Sequence, residues 1–254
     1  MKLNLDTKIT QIESILDTIK ACRKNTLIWG AFTNDMQIRL SWNSNAIEGN
    51  TLSLEETLDV IEYDEVKSGH TYTEYQETKN LHSAIVRQMD FEKEKLIDLS
   101  WIKQCNSIIM DSFGEFRQKA VFVGTLAEVT YYPPEYSKVP GLMEQYVSKL
   151  NADSVEEATD IGMRLQMIAK RHIEFERIHP YLDGNGRTGR MIMNQQLLNA
   201  GMLPAIMKDH SKYRQAFRRY DRNGSVELME YEIADGILES YEVLMQFAKR
   251  TDER

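Results

Sequence analysis

A chain of 254 residues is long enough to bury a full hydrophobic core, and 42% hydrophobic with 28% charged residues is the composition of a globular protein rather than a disordered one. No stretch reaches the roughly 20 apolar residues that span a bilayer, and residues 1–16 mix charges among their apolar positions, unlike a signal peptide. Lys and Arg number 31 against 39 Asp and Glu, and the net charge of −8 argues against a nucleic-acid partner gripped by its phosphates.

Only 13 glycines and 5 prolines interrupt the chain, and no linker, low-complexity tract or repeat divides it, so one domain of mainly helical class is expected over residues 1–254. Ile9, Ile12, Ile15, Leu16 and Ile19 recur at helical spacing over residues 5–23, and a second helix is expected from Thr26 to about Ile47 or Glu48. Ser53-Leu54-Glu55-Glu56 has the pattern of a capping box opening a short helix over Leu58 to Ile61. Further helical patterns cover 73–92, 98–111, 138–150, 155–178, 187–200, 211–221 and 226–249. Residues 119–132 break this habit. They are β-branched and aromatic, are interrupted by Gly124 and close on Pro133-Pro134, which predicts a short hairpin. The expectation is an all-α bundle with a single β-hairpin.

Ile161, Leu165, Ile168, His172 and Phe175 step along one helical face that must end before Pro180, because proline drives its predecessor out of the helical region. A polar loop follows, Tyr181-Leu182-Asp183-Gly184-Asn185-Gly186-Arg187-Thr188-Gly189-Arg190, and then an apolar helix from Met191. Helix, glycine-rich loop, helix presents backbone N–H groups at the positive end of a helix, a ready anion site. Gly184, Gly186 and Gly189 also fit the dinucleotide fingerprint, but that motif needs a preceding strand, and here the preceding period is helical. Asp183 and Asn185 resemble the start of a calcium loop, but Arg187 stands at its fifth position and Asn194 at its twelfth. A purely structural Asn-Gly turn leaves unexplained why His179, Asp183, Asn185, Arg187 and Arg190 crowd around one loop.

From His179-Pro180-Tyr181 to Arg190 the segment resembles the signature of Fic-domain proteins, His-Pro-Phe-x-Asp/Glu-Gly-Asn-Gly-Arg-x-x-Arg, departing from it only in Tyr181 for phenylalanine. The run from Arg117 to Pro140 resembles the hairpin flap of that family, and the likeness extends over about residues 36–221. The resemblance implies a helical core at about 73–221 and transfer of AMP from ATP to a hydroxyl side chain of a protein. His179 would then take the proton of the attacking Ser, Thr or Tyr hydroxyl. Asp183 would hold Mg²⁺, with Mn²⁺ as an alternative, on the phosphates. Gly184, Asn185, Gly186, Thr188 and Gly189 would close around the phosphate oxygens, and Arg187 and Arg190 would donate to the outer phosphates. No Gly-Lys-Ser/Thr motif supports a P-loop enzyme instead. His172 reads as a satisfied core residue, while His70, His82 and His210 show no ligand spacing. Tyr213 and Tyr220 either line an adenine pocket or simply pack.

Upstream, Ser44-Asn45-Ala46-Ile47-Glu48-Gly49 reads by itself as a helix ending at a glycine. Beside the long signature it also resembles the family's inhibitory motif, Ser/Thr-x-x-x-Glu-Gly/Asn. That implies an N-terminal inhibitory helix over about 26–48, whose Glu48 pairs with Arg190 and takes the place of the ATP γ-phosphate. Two other readings stay open: a hydrolase in which Glu48 aligns water to remove AMP, and a non-catalytic binding module. The expected partners are ATP and a target protein, the chain itself included, with no nucleic acid and no membrane; a homodimer accords with the resemblance. Only two cysteines, Cys22 and Cys105, occur, so there is no disulfide framework, and the cytoplasm is the expected compartment.

Overall fold

Where this chain turns from one helix to the next is decided largely by side chains that cap the exposed N–H groups of each first turn. Asn25 accepts hydrogen bonds from Leu27 and Ile28 N–H and so separates α1 (Leu5–Lys24) from α2 (Thr26–Ile47). Ser53 and Glu56 form a reciprocal capping box that opens α3 (Leu54–Tyr63), a helix longer than its sequence pattern predicts. A second box, Thr71 with Glu74, opens α4 (Tyr72–Gln88). Asp98 caps α5 (Leu99–Met110), and Asp160 caps α7 (Ile161–Ile178). The remaining helices are α6 (Val139–Asp153), α8 (Asn185–Asn199), α9 (His210–Asn223) and α10 (Glu227–Asp252). The computed structural model describes residues 4–65, 68–124, 129–153 and 160–252.

Among the described residues the sheet is one antiparallel pair, β1 (Val123–Gly124) with β2 (Val129–Tyr131), aligned Val123 to Tyr131 and Gly124 to Val129. This lies inside the hairpin expected at 119–132, whose residues 125–128 fall outside the described ones, as do residues 155–159 of the helix expected over 155–178. Among the described residues, no helix is long and apolar enough to cross a membrane.

One hydrophobic cluster runs from Ile12 on α1 to Leu244 on α10. Helix α2 packs against α1, α3, α4, α8 and α10, burying Trp29, Phe32, Met36 and Leu40. A helix with neighbours on so many sides needs apolar residues around most of its circumference, which is why its sequence is not cleanly two-faced. Helix α7 packs between α6, α8 and α10 with Leu165, Ile168, Ala169, Ile173 and Phe175 buried. Each such large aliphatic or aromatic side chain contributes about 1.5–3 kcal/mol. The C-terminal end of α2, the C-terminal end of α7 and the N-terminal end of α8 are therefore held by the same core, and they meet at one place.

Candidate active site

Helix α7 ends at His179, which adopts the left-handed conformation (φ 49°, ψ 62°) ahead of Pro180 while its N–H still bonds to Phe175 C=O. A non-glycine residue there costs energy and turns the chain sharply. The following loop is braced internally. The Asn185 side chain, 2% exposed, accepts from Tyr181 N–H at 2.9 Å and donates to Tyr181 C=O at 3.0 Å. What Asn185 offers a phosphate is thus its backbone N–H, not its amide. Gly184 (φ 77°) precedes α8, whose N-terminus carries no side-chain cap, so first-turn N–H groups stay available to an anion. A Cβ at Gly186 would collide with the Glu48 carboxylate.

Burial pushes the His179 imidazole down to about 4; Arg117 and Arg177 add to the shift, while the Glu176 carbonyl and Glu48 oppose it. At neutral pH the ring is unprotonated, the form a general base needs.

Glu48 caps the C-terminal end of α2, Gly49 follows at φ 101°, and the Glu48 carboxylate meets Arg190 of α8 at 2.6 Å. Arg190 also donates from Nε to Ser44 Oγ (2.8 Å), from one terminal nitrogen to Ser44 C=O (2.9 Å), and from the other to Tyr213 Oη (3.4 Å). Burial works against ionised Glu48, but Arg190, aided by Arg187 and His179, outweighs it and holds the carboxyl below its usual range. Burial likewise disfavours the Arg190 charge, and Glu48 and Tyr213 restore it.

Tyr213 and His172 back Arg190 rather than face an opening. His172 is fully buried, and burial with Arg190 nearby lowers it to about 3, so it is neutral. Its Nδ1 lies 3.2 Å from Gly189 C=O and must donate; its Nε2 therefore accepts from Tyr213 Oη–H at 2.7 Å. The tyrosine oxygen is then left to accept from Arg190. Tyr220 is partly buried against the core cluster.

The other arginine of the loop, Arg187, turns into the protein at 3% exposure and pairs with Glu77 of α4 at 3.1 Å; Asp183 lies 3.5 Å from it. Asn50, just past Gly49, donates to the second Glu77 oxygen at 3.3 Å. Asp183 is 70% exposed and accepts from Gly184 N–H at 2.5 Å. Among the described residues no group of three His, Cys, Asp or Glu is placed to hold a metal ion. A lone exposed carboxylate beside an anion site nevertheless suits Mg²⁺, which is commonly bound through one or two carboxylates, substrate phosphates and waters.

Several residues of the site carry no sequence signal of their own. Asn106 of α5 donates to Asp183 C=O (3.1 Å) and Thr188 Oγ1 (3.3 Å), and with Met110 it closes over Gly184. Glu77 and Glu176 are similar cases. Glu176 approaches Gly189 so closely that a Cβ there would lie 2.5 Å from its Oε1, and burial raises its carboxyl to about 7. The remaining histidines lie apart from the 181–190 loop. His70 sits between the two capping boxes, with Glu56 at 3.2 Å and Thr51 at 3.0 Å; His82 adjoins Ser41, and His210 adjoins Asn43.

Residues 61–197 match the model of the Fic/DOC family. Among curated proteins, the chain is 28% identical over 217 residues to a protein named Protein adenylyltransferase Fic from Aedes aegypti, covering 83% of this chain and 40% of that protein. It is 26% identical over 220 residues to the protein of the same name from Drosophila erecta, covering 83% and 42%. The chain thus spans about two fifths of the length of these relatives. Among solved structures, a Fic domain-containing signaling protein from Bacteroides thetaiotaomicron superposes with TM-score 0.79 at 21% identity, over 95% of this chain and 97% of that one. Fic-1 from C. elegans superposes with TM-score 0.70 at 19% identity, over 96% and 74%.

Proposed function

The chain belongs to the Fic/DOC family, and from that premise we propose that residues 1–254 form one Fic-type domain and act as a protein adenylyltransferase, transferring AMP from ATP to a Ser, Thr or Tyr hydroxyl and held in check by Glu48. The observation that carries the reading is a neutral His179 beside the uncapped N-terminus of α8, with the Glu48 carboxylate already on Arg190. His179 takes the proton of the attacking hydroxyl. The backbone N–H groups of Asn185, Gly186 and Arg187 and the Arg190 side chain bind phosphate oxygens, and Arg187 holds the loop to Glu77. Asp183 would hold Mg²⁺ or Mn²⁺, which when bound neutralises phosphate charge. With the carboxylate of Glu48 on Arg190, the γ-phosphate loses its partner, and ATP settles with its α-phosphate turned from the line of attack.

A second reading has one observation in its favour. The Glu48 side chain keeps 39% exposure beside the loop, so it is open to a water, and it would align that water for removal of AMP from a modified protein. Incubating the protein with a cell lysate, ATP labelled on its α-phosphate and Mg²⁺ separates the readings. New label on protein, from the wild type or from Glu48→Gly, that disappears with His179→Ala supports transfer, loss of label from a protein labelled beforehand supports removal, and neither outcome with either form refutes both. We place the protein in the cytoplasm, as a chain whose Cys22 and Cys105 build no disulfide framework, with a target protein as partner and a homodimer as its assembly.

A further inference from the structure

Arg117 follows α5 and precedes the hairpin, and it is 3% exposed. Among the described residues, every hydrogen bond it makes goes to backbone carbonyls of two segments far apart in sequence. Its own N–H bonds to Pro180 C=O at 2.9 Å, and its Nε donates to His179 C=O at 2.8 Å. One terminal nitrogen donates to Lys119 C=O at 3.2 Å, ahead of β1, and the other to Pro134 C=O at 2.5 Å, beyond β2. One planar fork therefore grips both legs of the hairpin and His179, and the backbone N–H of the same residue holds Pro180. Among the described residues no carboxylate pairs with it. A buried guanidinium without a counter-ion is costly, and a residue serving only to satisfy carbonyls need not carry a charge.

We propose that Arg117 is a positioning residue for His179, holding its backbone in the left-handed turn and tying both legs of the hairpin to it, so that base and hairpin keep one geometry. The inference rests on reading His179 as the proton acceptor. Left-handed backbone at a non-glycine residue persists only where its surroundings fix it, and here Arg117 binds the carbonyls on both sides of the His179–Pro180 bond. The charge has a use as well. The groups facing His179 are Arg117 and Arg177, which oppose its protonation, and Glu48 and the Glu176 carbonyl, which favour it. Arg177 is already paired with Asp221 at 2.7 Å, so among the described residues Arg117 is the cation there with no carboxylate to offset it.

The test uses Arg117→Met and Arg117→Lys, read first by an NMR titration of the His179 ring and then by transfer of labelled AMP. In Arg117→Met the His179 midpoint moves to higher pH and kcat falls by about a hundredfold, as expected for a base misplaced by an ångström, while KM for ATP stays within about twofold. Arg117→Lys keeps the charge but not the fork, so the midpoint stays near the wild-type value and kcat still falls. Folded variants with both an unmoved His179 midpoint and an unchanged kcat overturn the proposal. If Arg117→Met does not fold, Arg117→Lys decides by its kcat alone, and an unchanged kcat overturns it. The titration needs no transfer to be measured. If neither the wild type nor Glu48→Gly transfers AMP, the functional reading fails, and the midpoint alone decides whether Arg117 governs His179.

Discussion

Replacing Glu48 with glycine removes the carboxylate that meets Arg190 at 2.6 Å, and on the proposed function it should raise AMP transfer. Two unit charges 4 Å apart near a protein surface attract by about 4 kcal/mol. The Arg190 side chain is only 4% exposed but that of Glu48 is 39% exposed, so solvent screening discounts the pair to about 2 kcal/mol. A contact of that size, competing with the γ-phosphate for one arginine, suppresses the productive population roughly 30-fold. Labelled ATP with purified Glu48→Gly should therefore show initial rates of self-labelling or lysate labelling up by about one to two orders of magnitude. The gain should vanish in Glu48→Gly/Arg190→Ala, because the freed arginine is its cause. If Glu48 were only a helix cap, the glycine would cost a fraction of a kcal/mol of stability and leave the rate alone. Folded Glu48→Gly protein that labels no faster than wild type refutes the competition.

His179→Ala should lower transfer by about 10²–10⁴ while calorimetry shows ATP binding within a few-fold of wild type, because the phosphates are held by α8 and not by the imidazole; retention of more than about a tenth of the rate removes His179 as the base. Asp183→Ala should move the Mg²⁺ concentration for half-maximal rate upward, and a metal titration that superposes on wild type takes Asp183 out of the metal site. Glu176→Gln should stabilise the fold above neutral pH. Its folded carboxyl titrates at about 7 against 4.5 ordinarily, so the folded state binds the extra proton and stability from this group is lost as pH rises through that window. The gain, about 1–3 kcal/mol in urea unfolding at pH 8, should be absent at pH 4, and equal effects at both values would place Glu176 in contact with solvent.

The segment from α7 to α8 was legible because its signals are local: a helical period, a proline that stops it, and glycines where the backbone must approach an anion. The start of α4 lies one residue before the 73 that the period suggests, because a Thr71–Glu74 capping box, which the periodic pattern does not register, opens the helix at Tyr72. Its end departs further. The pattern continues to residue 92, yet the helix stops at Gln88 because Gln195 of α8 takes both backbone groups of Asp90 and holds the chain extended. Helix α3 outran its apolar core of Leu58 to Ile61 because its box fixes the first turn at Leu54. Glu77, Asn106 and Arg117 were invisible for a different reason. Each reaches the 179–190 segment across 62 to 110 residues of chain, through bonds to one arginine or to backbone carbonyls, and neither leaves a spacing to read.

Competition at Arg190 works as a switch only if the arginine stays in place after Glu48 leaves. The geometry meets that condition. Three of its donors remain engaged without Glu48: two on Ser44, which stays within α2, and one on Tyr213. Tyr213 in turn is fixed by His172, whose other ring nitrogen is tied to Gly189 on the arginine's own helix. Lowered to about 3, His172 stays neutral throughout the physiological range and adds no charge to repel the guanidinium. Arg190 is thus oriented from behind by neutral groups and compensated in front by whichever anion is present. Loss of the carboxylate leaves a buried cation already aimed at the loop, and a phosphate of ATP is the anion that the N-terminus of α8 would bring to it.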